Sequence, residues 1–362
     1  MSTAPSARIR VGVIGLGFGE RVLVPAFRAD SRCEVAAVAA TRLDRAQEAA
    51  QRLGVPTAYG DWRTLLDDAS LHAVAVAVPP PAQPEIALAA LQRRKHLFCE
   101  KPLATTPEAA ATLLSAAREA RVAHMVDFEF SAIEVWQRAK TLIEGGVLGR
   151  LRHAVIGWQM ETYATRVQGA SWKRVPDEGG GVLNLFGSHV LAYLEWLLGP
   201  IQQLTARLEP AGHLGSGARD ETTALLWAIL TDGAPVSITI SAGAFLGTGH
   251  RVEMYGEQGS LMLDNPTTDY VRGFRLLQGL RGDHAMQPVT VPQVRSLPGD
   301  GRIGAVAGLV SRFLDGIERG VPVPPTFEEG YRVQCLVAAA RKAHATQTWI
   351  DVTPQLAATS LA

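Results

Sequence analysis

Three short stretches of the chain place reactive or ligand-holding residue types at informative spacings. The first is Gly15-Leu16-Gly17-Phe18-Gly19-Glu20, directly after the β-branched run Ile9–Ile14. Glycines in such a turn let the backbone bend sharply and approach a diphosphate, whose charge sits at the N-terminus of the next helix. The strand–turn–helix context lends the pattern its specificity. Its third glycine position falls on Glu20, and Gly19 beside it is expected to supply the close packing instead. Phe18 lies between the last two glycines. Roughly 20 residues on, an acidic residue would bind the adenosine ribose hydroxyls. Here the chain reads Ala39-Ala40-Thr41-Arg42, without a carboxylate. Thr41 can donate to a 2′-phosphate and Arg42 can pair with its charge. NADP(H) is therefore favoured, and nearby Asp44 keeps NAD(H) open.

The second stretch is Glu100-Lys101-Pro102, after the short strand His96–Cys99. A lysine at the carboxyl end of a parallel strand sits where ligands bind in such sheets. Pro102 stiffens the turn. Taken alone, though, the Glu-Lys pair reads as ordinary surface charge. The third stretch is Gly179-Gly180-Gly181 followed by Gly187-Ser188-His189. Imidazole titrates near working pH, yet a lone histidine on so apolar a helix is more often a packed core residue.

The elements that must carry these residues are legible from periodicity. Strand signals at Ile9–Ile14, Glu34–Ala39, Ala73–Val78, His96–Cys99 and Ala123–Phe128 alternate with helical ones at Gly19–Ala29, Arg42–Leu53, Trp62–Asp67, Glu85–Gln92 and Thr106–Ala120. Such alternation predicts a doubly wound parallel sheet, an α/β Rossmann domain over residues 1–128. Pro79 and Pro80, at the end of its third strand, face the expected cofactor. The pattern then changes. After a helix at Glu134–Glu144, strand-like runs follow at Arg152–Tyr163, Gln203–Glu209, Thr222–Leu230, Pro235–Ala242, Arg251–Tyr255 and Ser260–Leu263, interrupted by a helix at Leu183–Leu197. Short Gly- or Asp-containing turns between them predict a C-terminal α+β domain over 129–362, built on an open, mainly antiparallel sheet. Asp264–Gly301 reads as irregular. Two closing helices, within 304–346, are expected to pack back toward the Rossmann domain.

The chain has 362 residues, 47% of them hydrophobic and 19% charged, enough apolar material for two cores rather than a disordered chain. Lys and Arg total 35 and so do Asp and Glu. That balance gives no footprint for nucleic acid. The N-terminus lacks an apolar secretory stretch and no run suffices for a membrane span. Only Cys33, Cys99 and Cys335 are present, in no metal-ligand pattern. A cytoplasmic protein without a metal is expected. A one-sided sheet would bury its outer face in a homodimer or homotetramer.

In this order, Gly15–Gly19, Glu100-Lys101-Pro102, the triple glycine and Gly187-Ser188-His189 resemble the Gfo/Idh/MocA family, named for glucose–fructose oxidoreductase, inositol dehydrogenase and a rhizopine-catabolism protein. The resemblance runs through VLGRLRHAVIGW, GGGVLNLFGSHVLAYLEWLLGP and EMYGEQGSLMLD and so covers nearly the whole chain. It implies hydride transfer between a nicotinamide and a hydroxyl or carbonyl of a sugar, cyclitol or sugar-like metabolite. It also implies that Lys101 is the catalytic lysine, that Glu100 positions it, and that His189 faces the nicotinamide as proton donor or acceptor. Glu129 falls where relatives place substrate-facing side chains, with pairing to Arg138 or Lys140 as the alternative. Ahead of the triple glycine, the aromatic faces of Tyr163 and Trp172 suit a sugar ring and Lys173 suits an anionic group, with a plain surface-loop role the alternative for each. Arg166 and Arg174 are further candidates for an anionic substrate.

The departures from the family pattern concern the substrate. Many relatives carry Asp four residues before the histidine; this chain has Leu185, with Asn184 one step away. A second common Asp is Ala192, and Val78–Pro84 lacks a frequent histidine. A leucine accepts no hydroxyl hydrogen bond, so a substrate with fewer hydroxyls at that end is expected. Two rival readings stay open: a non-catalytic dinucleotide-sensing regulator, and an NAD-dependent enzyme that uses hydride transfer only transiently on a glycoside.

Overall fold

The computed structural model describes residues 8–167, 172–175, 178–210, 221–291 and 297–352. The chain divides into two compact units. The first runs to Glu129 and takes in a later segment that ends at Tyr331; the second holds Phe130 to Arg295 and the chain from Arg332 onward.

Six parallel strands form the sheet of the first unit: β1 (Ile9–Ile14), β2 (Cys33–Ala39), β3 (Thr57–Tyr59), β4 (Ala73–Val76), β5 (His96–Cys99) and β6 (His124–Val126), in the order β3-β2-β1-β4-β5-β6. Near-continuous apolar runs such as AVAV in β4 are buried throughout, as both faces of a parallel sheet require. The order reverses at β1 and β4, and the glycine turn and the Glu100 loop both leave the carboxyl ends of strands near that point. The connecting helices are α1 (Val24–Arg28), α2 (Leu43–Leu53), α3 (Trp62–Asp67), α4 (Gln83–Gln92) and α5 (Pro107–Ala120). Local chemistry sets their ends. The Thr106 side chain accepts from the Ala109 N–H ahead of α5, whose first residue is proline. Gly54 closes α2 in the left-handed region at φ 62. The expected helix from Gly19 instead opens with a π-turn, Gly19–Leu23, before α1.

The second unit begins with α6 (Glu134–Glu144) and builds a nine-stranded mixed sheet from β7 (Leu151–Gln159), β8 (Ile201–Pro210), β9 (Glu221–Leu230), β10 (Pro235–Ser241), β11 (Gly249–Gly256), β12 (Gly259–Asn265), β13 (Arg275–Leu280), β14 (Gln287–Pro288) and β15 (Ile350–Asp351). Every pairing in it is antiparallel except β7 with β10. Part of the stretch read as irregular therefore forms β13 and β14; their few residues lie among Gly and Pro that mask the alternation. Residues 292–296 of that stretch lie outside the described residues. β7 stops at Gln159, and Tyr163 opens α7 (Tyr163–Val167) rather than ending the strand. The helix expected from Leu183 is a π-turn, Leu183–Gly187, followed by α8 (Ser188–Leu198). Of the closing helices, α9 (Ile303–Arg319) is counted with the first unit, where Phe313 meets Phe27 and Phe98 edge-on at 6.4 and 5.8 Å. In α10 (Phe327–Thr346) the residues from Arg332 on belong to the second unit.

One face of the nine-stranded sheet carries an aromatic core. His250 stacks on Trp158 at 4.2 Å and shares a 2.9 Å hydrogen bond with the Tyr193 hydroxyl. Burial pushes His250 down to about 3, and His124 of β6 down to about 4, so both are neutral when folded. The unfolded chain binds a proton at each near pH 6.5, so their contribution is whole above that pH and is lost as pH falls toward 4 and then 3. Each histidine is expected to steepen the acid-side loss of stability by about 1.4 kcal/mol per pH unit. Thermal unfolding of wild type and His250→Gln between pH 4 and 7 checks this; equal slopes in the two proteins would rule out a buried neutral His250.

Candidate active site

The site in the first unit starts from the glycine turn. Gly15 has φ 95, and a Cβ there would lie 2.2 Å from the Ala77 carbonyl oxygen, so only glycine fits. Gly19 needs its missing side chain for packing, because a Cβ would stand 2.9 Å from Val13 Cγ1. Gly17 differs: a Cβ there meets no atom of the protein within 4 Å. The bare backbone at Gly17 is an open cradle of the kind a diphosphate needs for close approach, and the residues present fit a dinucleotide. Glu20, at the third motif position, points its carboxylate to Arg52 at 2.7 Å.

Thr41 and Arg42 are exposed at the end of β2. Arg42 is the residue before α2, and its guanidinium pairs with Asp44, Nε to Oδ1 at 3.0 Å. Pro79 is exposed and Pro80 buried in the turn that leads into α4.

The Glu100-Lys101-Pro102 loop is held from beneath by a residue that sequence reading passed over. Gln83, buried in the first turn of α4, donates from Nε2 to the carbonyls of Glu100 at 2.6 Å, Pro102 at 2.9 Å and Leu103 at 3.2 Å. The Glu100 N–H donates to Val76 and the Asp127 N–H to Cys99, which extends the β4–β5–β6 ladder into the loop. Three carboxyl groups gather around Lys101: Glu100, Asp127 and Glu129, the last two almost fully buried. Burial is the largest influence on each group. It lowers Lys101 against the pull of Glu129, Glu100 and Asp127. It raises Glu100, and raises Asp127 well above its ordinary value, where the negative charges of Glu100 and Glu129 add to the effect. Glu129 is pushed up to about 7, less than burial alone would give because Lys101 opposes it. A lysine of lowered proton affinity beside carboxyls of raised proton affinity is an arrangement suited to moving a proton. Glu129 thus keeps company with Lys101, while Lys140 pairs with Glu144 at 3.4 Å. Asp127 and Arg302, whose charge also reaches Glu100, Lys101 and Glu129, are further members that the sequence alone did not mark.

The second unit holds the histidine. His189 is the second residue of α8 and 2% exposed, with its ring edge-on to Phe130 at 5.3 Å. The triple glycine is a packing requirement: a Cβ on Gly180 would lie 2.3 Å from the Trp172 carbonyl oxygen, and one on Gly181 2.6 Å from Glu221 Oε1. The helical turn Trp172–Arg174 therefore packs directly on the glycines that lead into α8. Lys173 Nζ lies 6.0 Å from the Trp172 ring. Tyr163 is exposed, with the Arg166 guanidinium 5.7 Å from its ring. Leu185 sits inside the π-turn, half-buried, while Asn184 is turned to structure, donating to the Gly180 carbonyl at 2.9 Å. Among the described residues no group of three or more His, Cys, Asp or Glu is placed to hold a metal ion, and no helix is long and apolar enough to cross a membrane.

Comparison with known proteins bears on the family of the chain. Residues 9–128 match the oxidoreductase family, NAD-binding Rossmann fold, and residues 140–352 its C-terminal alpha/beta domain, both of the Gfo/Idh/MocA grouping. An uncharacterised oxidoreductase of Synechocystis is 32% identical over 96% of this chain and 97% of its own length. Levoglucosan dehydrogenase of Pseudarthrobacter phenanthrenivorans is 27% identical over 89% of this chain and 90% of its own. A solved structure of levoglucosan dehydrogenase, in complex with NADH and levoglucosan, superposes with a TM-score of 0.86 at 26% identity, over 96% of this chain and 100% of that one.

Gln83→Met fills the same space without donors and leaves three carbonyls short of a partner. It is expected to lower the unfolding free energy by about 2–4 kcal/mol. Denaturant unfolding measures this, and a variant as stable as wild type would show that the loop does not depend on Gln83.

Proposed function

From the premise that the chain belongs to the Gfo/Idh/MocA oxidoreductase family, we propose that it is an NADP(H)-favouring dehydrogenase or reductase of a sugar-like substrate poor in hydroxyls near Leu185. Nicotinamide dinucleotide binding and oxidoreductase chemistry on CH–OH groups belong to the family; the preference for the phosphorylated cofactor, the substrate and the residue roles are our reading. The observation that carries it is the lysine loop: Lys101, low in proton affinity, in one unit with the Gly17 cradle.

When bound, the nicotinamide accepts or returns the hydride. The chain's own residues handle the proton. In the oxidative direction Lys101 takes the hydroxyl proton as hydride leaves the same carbon. Glu129 and Asp127 next to it can hold and pass on that proton. His189 is the second proton-carrying group, its ring fixed by Phe130. Trp172, Lys173 and Tyr163 are the substrate-facing side chains we assign in the second unit. Leu185 offers no acceptor, so fully hydroxylated polyols are disfavoured.

For the cofactor, the Arg42–Asp44 pair is exposed and screened by solvent, so a 2′-phosphate can draw Arg42 away. Thr41 adds a hydroxyl donor. Asp44 would oppose the added phosphate and is the feature that favours NAD(H).

Fluorescence titration with NADPH and NADH tests this reading together with steady-state kinetics on a panel of sugars and deoxy sugars. Arg42→Ala is expected to weaken NADPH binding about tenfold or more and NADH by less than twofold. Lys101→Met is expected to abolish turnover at least a thousandfold while changing dinucleotide affinity less than threefold. Equal NADH and NADPH binding, indifferent to Arg42, would overturn the phosphate reading. A preference for fully hydroxylated polyols would overturn the Leu185 reading.

The nine-stranded sheet supports a homo-oligomer. Its outer face carries Val155, Ser237, Trp227 and Thr205 in one cross-strand row over β7, β10, β9 and β8, with Trp227 60% exposed. Burying that indole against a second copy is favourable. Trp227→Lys is expected to convert the oligomer to monomer in light scattering; a wild-type monomer would sink the proposal.

A further inference from the structure

Arg302 stands outside every motif, yet it touches the glycine turn directly. It is the residue before α9, and its guanidinium carbon lies 4.8 Å from the centroid of the Phe18 ring, between Gly17 and Gly19. Asp300 grips it side-on, accepting from Nε at 2.8 Å and from Nη2 at 2.6 Å, and Asp300 Oδ1 also accepts the Arg302 backbone N–H at 3.1 Å. Its side chain is 22% exposed. Its charge is also felt at Glu100, Lys101 and Glu129. The guanidinium therefore stacks on the glycine turn and is near enough for its charge to act on the lysine loop.

This placement is unfavourable for α9 itself. A helix N-terminus carries positive partial charge and is stabilised by anions, not by a cation at the residue before its first turn. Asp300 offsets that repulsion but does not account for an arginine stacked on Phe18, since a neutral residue would need no such offset. A planar cation beside an open backbone cradle is the usual partner of a phosphate oxygen.

We propose that Arg302 is a cofactor-binding residue that contacts the dinucleotide's diphosphate, with Phe18 and Asp300 fixing the plane of its guanidinium. The inference rests on the dinucleotide reading and adds a residue beyond the Rossmann segment. Because the diphosphate is common to both cofactors, Arg302 acts on NADH and NADPH alike, unlike Arg42. Its charge also opposes the proton on Lys101, so the residue that binds the cofactor also biases the proton-transfer group.

The test titrates wild type, Arg302→Met and Arg302→Lys with NADH, NADPH, ADP-ribose and 5′-AMP, with thermal unfolding as a folding control. Met keeps the stem over Phe18 and deletes the charge; Lys keeps a charge without the plane. Arg302→Met is expected to weaken NADH, NADPH and ADP-ribose by a similar factor of about 10–100 and to leave 5′-AMP, which lacks the diphosphate, within twofold. Arg302→Lys is expected to recover part of the loss. With the cation gone, Lys101, Glu100 and Glu129 all gain proton affinity, so the acid limb of the kcat profile is expected to move to higher pH. Unchanged dinucleotide affinity in Arg302→Met, or a loss that extends equally to 5′-AMP, would overturn the assignment. Wild type that binds 5′-AMP but neither NADH nor NADPH would overturn the dinucleotide reading itself, and Arg302's role with it.

Discussion

A single carboxamide under the lysine loop is the contact on which the site in the first unit rests. Gln83 turns its amide nitrogen to the carbonyls of Glu100, Pro102 and Leu103, and so fixes the Pro-containing loop beyond the last ladder bond at Glu100. With the loop fixed, Lys101 is held among three carboxyl groups, and its charge must be reconciled with its surroundings. That reconciliation is made by Glu100, Asp127 and Glu129, which share the burial and are themselves driven toward their protonated forms. Burial and mutual charge thus lower the proton affinity of Lys101 and raise that of the three carboxyl groups, Glu129 to about 7.

The glycine turn shows how one motif meets two different demands. Gly15 and Gly19 are dictated by the protein, one by backbone conformation and one by the Val13 side chain. At Gly17 nothing in the protein would meet a side chain, which leaves its backbone open to close approach. A π-turn follows, and a second one precedes His189, each putting an extra residue in a helical turn. In the second unit Gly180 and Gly181 are explained by packing against the Trp172–Arg174 turn and Glu221, so that turn and the histidine helix share one local framework. The Glu221 carboxylate is itself held by Arg341 in two 2.8 Å contacts.

What the sequence by itself determined is whatever depends on neighbours a few residues away. The β1 strand and its glycine turn, the capped start of α5, the Gly54 stop of α2 and the mainly antiparallel character of the second sheet all follow from local spacing and propensity. Family resemblance then supplied roles for Lys101 and His189 that spacing alone did not. Short strands such as β3, β13 and β14 escaped notice because a few residues among Gly and Pro carry too little alternation to read. Only tertiary structure decided the surroundings of the reactive groups. Gln83 lies in a proline-rich stretch ahead of the helix read from Glu85, Asp127 follows an apolar strand, and Arg302 comes from a segment far along the chain that rejoins the first unit. Their significance comes from burial and from contacts with groups distant in sequence. Desolvation and charge–charge coupling depend on three-dimensional proximity, and no periodicity in the chain encodes them.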